Sequence, residues 1–251
     1  MNARKVKRRT YSGVVLEVEV FAAGKNQNLK TKSDPKLRFK DDEERAAHRL
    51  SISRRHHARL VNANFGTDSL YSTLTFDDEN ECHDFTEAKR LRDLYFRRLK
   101  RKFPEAVIFI YMGRGKNTNR IHLHMLSKGV PEDFVKAQWR YGQIIDCKCL
   151  REHNYYDGID RGKDYTALAN YLFEHWTPEQ GGHRWKQTRN AKQPERETMT
   201  ECKRNYTPEK PPRVPKGYKL VDVQITRYGY MNFRYVLEPQ FQGISKKRRR
   251  L

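Results

Sequence analysis

The chain has 251 residues, with 52 Lys and Arg against 31 Asp and Glu and a formal net charge of +21. Such a surplus speaks against an ordinary enzyme of neutral metabolites and for a polyanionic partner, most simply nucleic acid held through its phosphates. Cys82, Cys147, Cys149 and Cys202 include no Cys-x-x-Cys pair, the basic N-terminus has no apolar signal core, and no stretch approaches the ~20 apolar residues of a membrane span; a reduced, soluble, cytoplasmic protein is expected.

In chain order, residues 1–10 are basic and expected to be disordered alone. Residues 13–22 have the pattern of a strand, 24–40 of a polar loop around Asp34-Pro35, and 41–64 of a charged helix with Leu50, Ile52 and Leu60 as sparse apolar anchors. A strand rich in Thr and aromatics follows at 70–76. Phe85, Ala88, Leu91, Tyr95 and Leu99 recur at helical spacing before Pro104. Residues 106–111 (AVIFIY) predict a short buried strand, and 113–119 a glycine-bearing hairpin tip. That tip has Gly-x-Gly-Lys but neither the glycine spacing nor the Ser/Thr of a Walker loop.

Residues 120–126 (RIHLHML) alternate apolar and polar side chains. On a strand, His122 and His124 then share one face and Ile121, Leu123 and Met125 the other. Two imidazoles so placed can chelate a metal ion, although an isolated His-x-His is more often two partly exposed histidines. A helix at 131–141 and a strand at 143–150 come next, then a helix at 163–176. From residue 70 the order is β-α-β-β-α-β, an α+β fold with a ferredoxin-like split antiparallel sheet. On the last helix Tyr165, Leu168, Ala169, Leu172 and Trp176 form a core stripe. Tyr171, Glu174 and His175 fall on the opposite side, so Tyr171 is the tyrosine offered to a substrate. A phenol attacks phosphate once a metal polarises it. The expected organisation is a basic N-terminal extension (1–66), a catalytic domain (67–195), a Pro-rich linker (196–217) and a C-terminal hairpin with a basic tail (218–251).

The strand Thr73-Leu-Thr-Phe76, the strand His122-Leu-His124 and the later helix with Tyr171 resemble, in that order, the motifs of the HUH endonucleases. Within them, RIHLHML resembles rolling-circle replication initiators. Leu168-Ala-Asn-Tyr-Leu172, His183-Arg-Trp-Lys-Gln-Thr-Arg-Asn190 and Pro194 are similar to filamentous-phage gene II-type replication-associated proteins. The resemblance spans residues 69–195. It implies origin nicking on single-stranded DNA with Mg²⁺ or Mn²⁺, through a 5′-phosphotyrosine link and a free 3′-OH. It implies His122 and His124 as metal ligands and Tyr171 as nucleophile. Host helicase and polymerase are the implied partners, in a bacterial cytoplasm, with the gene on a plasmid, phage or integrated element.

Two departures from the family pattern stand out. The strand before the His pair ends Ile110-Tyr111-Met112-Gly113 without the frequent carboxylate, and Tyr171-Leu-Phe-Glu174 replaces Tyr-x-x-Lys. Glu174 is the expected third ligand, with an oxygen suited to a hard cation, and His175 its rival. Arg120, Arg184, Lys186 and Arg189 are expected on DNA phosphates, and Trp185 on a base or in the core. The rival functions are a two-histidine, one-carboxylate iron enzyme, a non-catalytic nucleic-acid-binding module, and a relaxase or transposase of the same superfamily.

Overall fold

A computed structural model describes residues 4–23, 41–115, 119–226 and 229–242. The expected loop at 24–40, the centre of the hairpin tip at 116–118 and the basic tail lie outside the described residues. The chain divides into two compact units, one of Met1–Ala63, His153–Asp164 and Gln193–Leu251, the other of Asn64–Glu152 and Tyr165–Lys192. Both are built on antiparallel sheets, giving a mixed α+β architecture. Among the described residues no helix is long and apolar enough to cross a membrane.

The first unit begins with β1 (Arg4–Ser12) and β2 (Val15–Ala23), joined by a tight turn at Gly13. Gly13 has φ +59°, and a methyl there would lie 2.2 Å from the Asn62 carbonyl oxygen, so glycine is required twice over. Residues 4–10 are therefore strand rather than disordered. Of their charges, that of Arg8 is matched across the ladder, where it opposes Glu19 and bonds its carboxylate at 2.9 Å. Helix α1 (Asp42–Asn64) starts where Asp41 Oδ1 accepts the Glu44 N–H. The chain re-enters this unit through the hairpin β7 (Tyr155–Tyr156) and β8 (Ile159–Asp160).

The short strands β10 (Glu195–Arg196) and β11 (Thr200–Glu201) pair with β1. The hairpin of β12 (Tyr218–Ile225) and β13 (Met231–Leu237) closes the sheet by pairing β13 with β2. One sheet face is apolar, with Leu16, Val18, Val20, Phe233 and Tyr235. Tyr206 and Val214 pack on it, and Tyr235 donates to the Pro212 carbonyl at 2.8 Å. The Pro-rich segment thus covers a core instead of merely linking. On the opposite face Arg59 of α1 is buried against Glu17 and Glu19.

The second unit contains, in order, β3 (Ser69–Thr75), α2 (Phe85–Lys102), β4 (Val107–Arg114), β5 (Ile121–Lys128), α3 (Glu132–Gln138), β6 (Ile144–Cys149), α4 (Thr166–Glu174) and β9 (Trp185–Gln187). The first six are the elements expected from the sequence. Strand order in the sheet is β6-β3-β5-β4-β9, every neighbour antiparallel. Asp84 caps α2 by accepting the Thr86 and Glu87 N–H groups, and the predicted stripe of Phe85, Ala88, Leu91, Tyr95 and Leu99 is buried. Together with Val135 and Trp139 it packs on Leu74, Ile108, Ile110, Ile121, Leu123 and Met125. The period of two along each strand therefore aims the remaining side chains, His122 and His124 among them, at the other face.

Candidate metal centre and nucleophile

In an antiparallel ladder, directly opposed residues share a face. His124 lies between Thr73 of β3 and Tyr111 of β4, and His122 between Thr75 and Gly113. The row through His124 runs on to Asp146 of β6 and Trp185 of β9. Asp146 is ion-paired with Lys148 at 2.9 Å. Helix α4 meets this face through ring contacts. Tyr171 stands edge-on to His175 with centroids 4.3 Å apart, and 5.7 Å from His124.

His175 caps the C-terminus of α4 and turns its ring toward the sheet. Its Nε2 lies 3.1 Å from Nε2 of His124, and its Nδ1 2.8 Å from the Tyr171 carbonyl oxygen. A carbonyl only accepts, so Nδ1 of His175 carries the proton and Nε2 offers a lone pair. Nδ1 of His124 has the hydroxyls of Tyr71 at 2.8 Å and Thr73 at 3.1 Å. With that Nδ1–H donated to a hydroxyl, the His124 lone pair also points at the centre. The ligand atoms of His122, His124 and His175 all lie within 4.8 Å of one another.

That arrangement fits a metal ion. Metal–imidazole bonds of about 2.0–2.1 Å place neighbouring nitrogens roughly 3.0–3.4 Å apart, and the His124–His175 pair is already at 3.1 Å. Metals also need neutral imidazoles. Burial, reinforced by His175 and His122, pushes His124 down to about 3. His122 is lowered by burial, against the hydrogen bond to the Arg120 backbone, with His175 lowering it further.

Two residues position His175. A methyl on Gly113 would lie 2.8 Å from Cδ2 of His175, so the glycine clears the space its ring occupies. Gln180, in the turn Pro178–Gln180, is buried and donates through Nε2 to the carbonyls of Met112 and His175, each at 3.0 Å. Lys89 donates to the Gln180 carbonyl. The sequence did not single out Gly113 or Gln180 for these roles, which arise from contacts far apart in the chain. Tyr71 was not singled out either, although alternation along β3 places it with Thr73 and Thr75 on the histidine face.

The structure brings Tyr171, His122, His124 and His175 together, with Tyr171 half-exposed. Tyr165 is buried, as packing requires, and donates to the Arg151 carbonyl at 3.0 Å. Burial, then Asp68 and Glu152, push its phenol up to about 12. The expectation for Glu174 is corrected: it lies on the exposed side of α4, outside the histidine group. One residue later the helix ends, and His175 takes the place instead.

The expected DNA contacts are divided. Arg120 lies between Asp78 at 2.7 Å and Glu81 at 3.1 Å, and those carboxylates compete with any phosphate. Arg184 stacks on Trp176 and Phe173, its guanidinium 4.2 and 4.5 Å from the ring centres. Lys186 pairs with Asp93 at 2.9 Å. Trp185 is half-buried near Phe173 and donates to Gln187 at 2.7 Å. Arg189 is exposed.

Comparison with known proteins gives no match to a family model, to a curated protein or to a solved structure.

Proposed function

We propose that the chain is a metal-dependent DNA endonuclease and strand transferase of the HUH type, serving as a rolling-circle replication initiator. The observation that carries this reading is the convergence of His122, His124 and His175 on one sheet face with the half-exposed Tyr171 against them. The strand order β6-β3-β5-β4 supports it, because a ferredoxin-like split β-α-β-β-α-β sheet has that topology. The net charge of +21 supports a DNA substrate.

In this reading Tyr171 is the nucleophile. Its oxygen bonds to the phosphorus of a single-stranded origin, and the bond from that phosphorus to the 3′-oxygen breaks. The phenolic proton passes to water and the leaving oxygen acquires one, so a 5′-phosphotyrosine and a free 3′-OH result. Reversal of the same step rejoins the ends. A divalent ion held by the three histidines would polarise the scissile phosphate. Imidazoles suit Mn²⁺ better than Mg²⁺, which prefers oxygen. Tyr71 and Thr73 hold the His124 tautomer, while Gly113 and Gln180 hold His175. A host helicase and polymerase would act on the nicked strand, with the gene carried by a plasmid, phage or integrated element of a bacterium. A relaxase or transposase would use the same chemistry.

The test is incubation of the protein with a randomised single-stranded DNA pool and Mn²⁺, followed by denaturing electrophoresis. A covalent protein–DNA band is expected, lost in Tyr171→Phe and in the double variant His122→Ala/His124→Ala. A band that persists in Tyr171→Phe refutes the nucleophile, and its absence from the unaltered protein favours a non-catalytic nucleic-acid-binding module.

A further inference from the structure

The unit built from both ends of the chain contains a cavity of about 710 Å³ that the nicking reaction does not use. It lies within the size range of small-ligand pockets, about 300–1,000 Å³. Its walls come from the polar face of the β1-β2-β13 sheet and from α1. Four guanidiniums line it, those of Arg8, Arg55, Arg59 and Arg196. The Glu19 carboxylate is shared by three of them, Arg8 at 2.9 Å and Arg55 and Arg59 at 3.3 Å each. Glu17 serves Arg59 as well, and Glu44 stands at the wall.

Arg196 has no carboxylate partner among the described residues. Its guanidinium pKa is lowered by burial and by the nearby charges of Arg59 and Arg8, against a smaller opposing pull from Glu19 and Glu17. Among the described residues, four guanidiniums against Glu17, Glu19 and Glu44 leave the cavity walls with a positive excess. Its other walls are flat. Phe21 and Tyr230 have ring centroids 6.2 Å apart, with Arg8 over the Phe21 ring at 5.6 Å and Arg55 over the Tyr230 ring at 4.7 Å. Guanidinium planes layered on aromatic rings provide stacking surfaces for a planar base, and a cation beside them takes the phosphate.

We infer that this cavity binds one nucleotide of a single-stranded DNA, the base against the Phe21–Tyr230 wall and the phosphate on Arg196. An extended acidic peptide would use the charge but not the concave aromatic wall. None of these residues belongs to the histidine cluster, so the site is a second DNA contact, independent of the nicking chemistry.

The probe is 5′-fluorescein-labelled dT₁₂, titrated by fluorescence anisotropy with the full chain carrying Tyr171→Phe. EDTA keeps the histidine centre metal-free. Arg196→Glu and Ile52→Glu both alter exposed positions of the cavity wall, so the fold survives them. Each is expected to weaken binding about tenfold, and Arg196→Ala to reduce the salt slope by about 1. An oligonucleotide carrying 5-iododeoxyuridine is expected to photocrosslink to Phe21 or Tyr230, and to lose that crosslink in Arg196→Glu. Unchanged affinity in both charge-altering variants overturns the inference. So does displacement of the oligonucleotide by poly-glutamate at equal charge. Binding of thymidine monophosphate at the cavity without binding of the strand would also overturn it, assigning the site to a free nucleotide. None of these outcomes bears on covalent adduct formation, which is read separately in the chain that retains Tyr171, with Mn²⁺.

Discussion

Alanine at Gly113 tests the histidine centre without altering any of its ligands. Gly113 opposes His122 across β4 and β5, and its φ is not positive, so the backbone accepts a side chain. The obstacle is the ring beyond it. The added methyl would lie 2.8 Å from Cδ2 of His175 and 3.2 Å from both its Cβ and its carbonyl oxygen. Restoring ordinary contact, ~3.4–4 Å, requires His175 to withdraw by roughly 0.6–1.2 Å. A gain of about 0.4–1 kcal/mol from a stiffer unfolded chain opposes an overpacking cost of about 1–3 kcal/mol. The net destabilisation is therefore small, on the order of 1 kcal/mol. The effect on the site is larger, because ligand distances tolerate only about 0.2 Å. Mn²⁺ affinity is expected to fall about 10–100-fold and adduct formation about 100-fold. Free Mn²⁺ is read by electron paramagnetic resonance during titration, with the melting temperature measured in EDTA to separate folding from binding. His175→Ala should lose affinity more severely, and Glu174→Gln should keep it. Wild-type affinity in both Gly113→Ala and His175→Ala would sink the three-histidine centre, as would a loss in Glu174→Gln equal to that in His175→Ala.

Gln180→Ala removes the amide that serves two carbonyls; a destabilisation of about 1–3 kcal/mol and a tenfold weaker Mn²⁺ titration are expected, and an unchanged titration would remove Gln180 from the positioning of His175. Tyr71→Phe deletes the hydroxyl 2.8 Å from His124 Nδ1; Mn²⁺ affinity should drop about tenfold, with a further loss on adding Thr73→Val, and no additional loss would exclude Thr73 as the reserve partner. Acid should destabilise the first unit through Glu19: burial alone would raise its pKa, but Arg59, Arg8 and the Tyr230 hydroxyl outweigh it and hold the group at about 2 instead of 4.5. Its contribution, about 3 kcal/mol, is complete above pH 4.5 and is lost as pH falls toward 2; acid unfolding followed by far-UV circular dichroism should show a smaller loss over that window in Glu19→Gln.

Local periodicity made the second unit legible. The α2 stripe and the alternation in β3 and β5 each repeat within one element; burial followed the stripe and β3, while in β5 His124 and Leu126 are buried as well. The first unit was harder because its order depends on pairing between distant segments. β2 pairs with β13, so Val18 faces Phe233, a contact no local window contains. Residues 4–10 carry the charge pattern of a disordered arm, yet they pair with β2 along their length, with Glu19 opposite Arg8. The prolines of the segment before β12 suggested a linker, yet a segment poor in backbone donors can still cover an apolar face, and Tyr206 and Val214 make it do so.

The centre itself was half legible for the same reason. A spacing of two places His122 and His124 together, and a helical face selects Tyr171. The choice between Glu174 and His175 depends on where α4 ends, since at the helix terminus a single residue changes which side chain can turn inward. His175 lies at that terminus, anchored by the Tyr171 carbonyl. Gly113 of β4 carries no side chain, and His175 enters the volume it leaves. The chemical consequence follows from charge. Under the proposed function, a carboxylate would neutralise part of a divalent ion, whereas three neutral imidazoles would leave it its full charge toward a scissile phosphate. In the proposed centre the absence of a hard oxygen ligand would favour Mn²⁺ over Mg²⁺.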